Sequence, residues 1–146
     1  MKAFPEMKLY FNIPESNQSD MDNTYYRSEI YTGRIRERCA YTACLNGYFQ
    51  GPAADGAKEA GWELIKRGYP IVNFIHDEFI FDFPENEFLT ARIEHAKSIM
   101  IESMKKITPH VKVGAGAEVM RHWSKGAKEV RDGNGNYIPF EDVINK

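Results

Sequence analysis

Three consecutive polar residues, His76, Asp77 and Glu78, interrupt two apolar runs in the stretch IVNFIHDEFIFDF, from Ile71 to Phe83. An Asp followed by a Glu at a strand crossing can hold a hard divalent cation such as Mg²⁺. Phosphoryl transfer by two such ions requires carboxylates that bridge both, with the ions roughly 3.5–4 Å apart. One Asp–Glu pair cannot supply that, so at least one further carboxylate must face it. No other acidic residue stands in an obvious strand-end context: Asp82 falls within the second apolar run and Asp55 within an expected helix. Taken alone, the tripeptide also reads as a polar turn, with His76 solvated and Asp77 bonding backbone amides.

The elements that would position these residues follow from pattern. Alternating, β-branched and aromatic residues on both sides of His76-Asp77-Glu78 predict a β-hairpin opened by Pro70. Before it, PAADGAKEAGWELIKRG predicts a helix, with Pro52 in the first turn, Ala53, Ala57, Ala60 and Leu64 on the inner face, and Gly68 at the C-terminal cap. The small inner face should pack tightly against whatever it crosses. Further upstream, YTGRIRERCAYTACLNGYFQG places Arg34, Arg36 and Arg38 ahead of a weakly helical run to Phe49, weakened by Gly47.

After Pro84 and an acidic first turn (Glu85, Glu87), a long helix is expected to about Ile107, stopped by Pro109. Its buried stripe would be Leu89, Ile93, Ala96, Met100 and Met104. VKVGAGAEV alternates as a third strand, MRHWSKGAKEV follows as a basic segment, and DGNGNY marks a tight turn. The expected class is therefore α+β, an antiparallel sheet of the hairpin plus a third strand packed against helices. Residues 1–30 are polar and aperiodic, either a flexible arm or a segment that orders against another chain, and residues 31–146 form the domain that carries the hairpin.

Composition narrows the function. A chain of 146 residues with 42% hydrophobic content suits one domain with a real core. Its net charge of −2 does not announce a nucleic-acid binder, so any DNA contact would come from a local patch or a partner chain. Two cysteines, Cys39 and Cys44, fall short of a four-ligand zinc site and read as buried free thiols. No apolar run reaches membrane-spanning length and the start MKAFPEMKLYF lacks a signal-peptide core, so a soluble, intracellular protein is expected. His95 reads as a solvated residue, His110 and His122 as too isolated to be ligands, and Trp62 and Trp123 as packing residues. GAGA lacks the lysine and helix start of a phosphate loop.

The order of blocks carries more information than any one of them. NGYFQGPAADGAK, a stretch of helix, and then IVNFIHDEFIFDFPE resemble the C-terminal palm of family A (DNA polymerase I-like) DNA polymerases. The glutamine-glycine step before an alanine-rich helix and the His-Asp-Glu turn of motif C are the matching features. PHVKVGAGAEVMRHWSKGAKE is similar to the family's closing strand and final tryptophan-containing segment, so the resemblance covers roughly Tyr31 to Lys128.

That resemblance implies a palm-like fold and a set of roles. Asp77 would ligate catalytic Mg²⁺, Glu78 would support the metal site, and His76 would lie near the primer-terminal backbone. Gln50 and Asn46 would contact the minor groove, where near-identical acceptors report pair geometry without reading sequence. Arg34, Arg36 and Arg38 would be further DNA contacts. Thr42 stands where many members carry an arginine, and Arg38, one turn earlier, could substitute. The family's motif A, with its first catalytic aspartate, and motif B, which handles the incoming dNTP, have no counterpart here. The implied protein is thus the small chain of a split polymerase, with Met1 as a free-standing start. A larger chain carrying motifs A and B would complete its two-metal Mg²⁺ site with a partner carboxylate. Primer-template DNA and dNTP would be the other partners, and the setting a phage or bacterial host cytoplasm. The alternative is a non-catalytic DNA-binding or accessory module derived from such a palm, using Arg34, Arg36, Arg38, Lys125 and Lys128.

Overall fold

The computed structural model describes residues 11–12, 26–29, 32–39 and 41–141. The longest element is α1 (Tyr41–Lys66), which continues through Pro52. Two helical stretches with Pro52 opening the second were expected; instead Pro52 lies inside one helix. Proline cannot donate the backbone bond its neighbours make. Pro52 is nevertheless buried in a row with Gly56, Ala60 and Leu64, spaced four apart on one face, and that packing carries the helix across. Leu64 is fully buried, which stabilises the fold by about 2–3 kcal/mol.

Gly68 ends α1 as expected. It takes a φ of 75°, with Gly68 N–H donating to the Ile65 carbonyl at 2.9 Å and Tyr69 N–H to the Leu64 carbonyl at 3.1 Å. This is a Schellman closure, and Tyr69 completes it by packing against Leu64.

The second helix, α2 (Leu89–Ile107), crosses α1 with small residues at the contact. A Cβ added at Gly56 would collide with the Met104 side chain. The buried stripe is Leu89, Ile93, Ala96, Ile99 and Ser103, so Ile99 and Ser103 replace the expected Met100 and Met104, which are half-buried. Glu85 and Glu87 precede α2 and do not form its first turn. The entry is instead closed by Asn86, whose Oδ1 accepts the Phe88 N–H at 3.0 Å.

Two antiparallel sheets flank the helices. β1 (Phe11–Asn12), β2 (Tyr26–Glu29) and β3 (Ile35–Cys39) pair in that order, and β2 and β3 lie against α1. Two stretches of the expected polar arm are therefore strands; the remainder of residues 1–30 lies outside the described residues. β4 (Ile71–Ile75) and β5 (Glu78–Phe81) form the expected hairpin. Tyr69, Ile71, Phe79 and Phe81 pack on the Leu64, Ala96 and Ile99 cluster, which places α1 and α2 on one face of the hairpin. The arrangement is α+β.

The third strand of the expected sheet does not form. Residues 112–119 have no ladder partner among the described residues, so the hairpin stays two-stranded. Ala117 and Val119 instead pack onto Leu89, Ile93 and Tyr137. Alternation in VKVGAGAEV therefore reflects one-sided packing on a helix, not pairing. Isolated bridges, Met120 to Phe140 and Arg131 to Tyr137, hold the C-terminal segment. The expected tight turn lies between the last pair, where Asp132 Oδ1 accepts the N–H groups of Asn134 and Asn136 at 2.9 and 2.8 Å.

Candidate functional site

The hairpin tip is built from its base upward. Phe74, Phe79, Phe81 and Phe83 form an aromatic ladder, with successive ring centroids 4.6, 6.3 and 5.2 Å apart. Tyr69 meets Phe81 and Phe83 edge-on at 6.1 and 6.0 Å. Its hydroxyl sits 2.6 Å from His95 Nδ1. Burial raises the Tyr69 phenol above its ordinary value. Phe79 also closes on α1, where a Cβ added at Gly61 would stand 3.2 Å from its ring. These contacts fix β5, the strand that leads away from the tip.

The tip itself is a two-residue turn of His76 and Asp77, closed by the Ile75–Glu78 pair. Glu78 is thus the first residue of β5, not part of the turn, and Asp82 lies just beyond β5. His76 has a φ of 57°, a conformation usually left to glycine, whereas Asp77 does not. Positive φ at the first central position alone is the pattern of a type II′ turn. All three polar side chains are exposed. Neither Asp77 nor Glu78 has a hydrogen-bond or ion-pair partner among the described residues, so Asp77 does not cap the turn.

Two free carboxylates on a packed hairpin suit a hard cation that completes its shell with water or phosphate oxygens. Mg²⁺ is commonly held in this way by one or two carboxylates. Among the described residues, no group of three or more His, Cys, Asp or Glu is placed to hold a metal ion. Asp77 and Glu78 alone fall short of such a group, so a cation held here would need further ligands from outside the described residues.

The other expected site residues divide into two groups. Thr42, Asn46 and Gln50 are exposed on α1 and spaced four apart, so they share one face of the helix. Gln50 is three turns N-terminal of Gly61, where Phe79 of the hairpin meets α1, about 16 Å along the axis. Arg34 is already engaged: its guanidinium pairs with Asp55, which also accepts the Thr32 hydroxyl at 2.8 Å. This residue tethers the β2–β3 turn to α1. Arg36 and Arg38 belong to β3, with Arg36 opposite Ser28. Arg38 is therefore in a strand and not in a helical turn before Thr42.

Several features escaped the sequence reading. Trp62 and Trp123 are 59% and 61% exposed, which corrects their assignment as packing residues. Lys97 Nζ donates to the Tyr137 hydroxyl at 2.9 Å, and the Arg131 guanidinium stacks 3.8 Å from that ring. The positive φ at His76 left no sequence signal beyond the lack of Gly or Asn in so short a turn.

No family model, curated protein or solved structure matches the chain. Among the described residues, no helix is long and apolar enough to cross a membrane.

Proposed function

We propose that this chain is the C-terminal palm part of a split DNA polymerase similar to family A, working with a larger chain that carries motifs A and B. The observation that carries the reading is the tip: two unpaired carboxylates, Asp77 and Glu78, on a hairpin whose base is locked by an aromatic ladder. Residues that only closed a turn would be better served by Gly or Asn than by His76 at positive φ.

In this reading Asp77 and Glu78 would hold Mg²⁺ beside a carboxylate of the partner. Bound there, the metal would offset charge on the transferring phosphoryl group and polarise the primer hydroxyl. The chain's own part is positioning. The ladder from Phe74 to Phe83 keeps Asp77 fixed while the primer 3′ hydroxyl attacks the α-phosphorus of dNTP and pyrophosphate leaves. Asn46 and Gln50, on one exposed face of α1, would meet the minor groove of the primer-template.

The test is co-expression with the neighbouring gene product, a native mass, and primer extension with Mg²⁺. Asp77→Ala should abolish extension while the complex assembles unchanged, because Asp77 is exposed and makes no described contact. Extension by the variant near the wild-type rate sinks the metal role. Duplex binding without extension in any partner mixture would leave the non-catalytic DNA-binding module.

A further inference from the structure

The loop after the hairpin's supporting helix presents a surface that the proposed polymerase chemistry does not use. Residues 121–131, RHWSKGAKEVR, carry four Lys or Arg and one Glu in a chain of net charge −2. Three carboxylates are engaged by the arginines of this stretch. Glu85 takes a two-pronged contact from Arg121 at 2.8 and 3.1 Å, and Glu141 lies 3.6 Å from the same guanidinium. Glu129 accepts from Arg131 at 2.6 Å. Lys125 and Lys128 are exposed, and neither forms an ion pair among the described residues. Two positions before Lys125 in the chain, Trp123 is 61% exposed.

The loop is also held in shape. Ser124 N–H donates to Met120 Sδ at 3.2 Å. Ala127 N–H closes a turn onto the Ser124 carbonyl at 3.2 Å. The indole is thus shown on a closed turn, and a ligand would lose little by ordering it.

We propose that this loop binds single-stranded nucleic acid, with Trp123 as a stacking platform for an unpaired base and Lys125 and Lys128 as phosphate partners. An exposed indole within a few residues along the chain of two unpaired ammonium groups suits sequence-tolerant single-strand binding. Bases within a duplex are stacked on each other and cannot cover the ring. The surface is distinct from the tip: Arg121 ties the loop to Glu85, which follows β5, and Asp77 precedes that strand.

The experiment uses the full chain and a labelled oligothymidylate, with anisotropy read across a salt series. Trp62 and Trp123 are the only tryptophans, so Trp62→Phe leaves Trp123 as the sole indole reporter. Binding should quench its fluorescence. Trp123→Ala should weaken binding about tenfold, and Trp123→Phe should recover part of the loss. Lys125→Ala with Lys128→Ala should lower the log–log salt slope by about 1.4, as expected for two single-strand phosphate contacts.

Circular dichroism melts verify that each variant folds. Unquenched Trp123 at saturation, unchanged affinity in Trp123→Ala, or no binding at low salt would each overturn the proposal. The assay contains no partner chain, Mg²⁺ or dNTP. Its failure therefore leaves the Asp77 extension test standing, and the reverse holds equally.

Discussion

His76 offers the sharpest separation of function from folding. Its φ of 57° places an L-residue where glycine is preferred, at a cost of roughly 1–3 kcal/mol. Replacing it by glycine removes that cost but restores freedom to the unfolded chain, worth about 0.5–1 kcal/mol in the opposite direction. His76 is exposed and has no hydrogen-bond partner among the described residues, so little else is lost. His76→Gly should therefore stabilise the protein by about 1 kcal/mol, or about 4 °C in Tm for a chain of this size. Urea melts should show a higher midpoint with an unchanged slope. If the side chain serves a substrate, primer extension by the reconstituted complex should fall in the same variant. A loss of about 1 kcal/mol or more on His76→Gly would refute the reasoning, because it would mean that the imidazole holds the turn.

Two further outcomes follow from the helix interfaces. Ser103 is 1% exposed and its Oγ has no hydrogen-bond partner in the described structure. Ser103→Ala should gain about 1 kcal/mol, read from chemical denaturation, and a loss of that size would reveal a partner for the hydroxyl. Arg131, first among its neighbours, holds the Glu94 carboxyl below its ordinary value of 4.5. A lowered folded-state value means the stabilising contribution is whole above pH 4.5 and is lost as the pH falls through the lowered one. Asp132 acts in the same direction, lowered chiefly by the Asn136 N–H. Amide protection factors in residues 117–141, relative to the intrinsic rate at each pH, should therefore fall selectively on acidification. Glu94→Gln should flatten that dependence, and identical profiles in both proteins would remove Glu94 from the account.

Local chemistry settled much of this protein in advance. The hairpin was legible because β-branched and aromatic residues alternate on both sides of a polar break. The end of α1 was legible because only glycine accepts the backbone of Gly68 without strain. The last turn was legible from its Asp and Asn spacing. In each case the cause lies within a few residues of its effect.

What the fold alone decided depends on distant partners. Pro52 reads as a helix start, yet burial in a row with Gly56, Ala60 and Leu64 keeps one helix running through it. VKVGAGAEV alternates like a strand, yet Leu89, Ile93 and Tyr137 take its apolar side and no strand pairs with it. Arg34 looks like a free cation until Asp55, far along the chain, claims it. Trp123 looks like core until the loop closes with its ring outside. Periodicity reports which side of a segment is apolar, but not what covers that side or whether anything does.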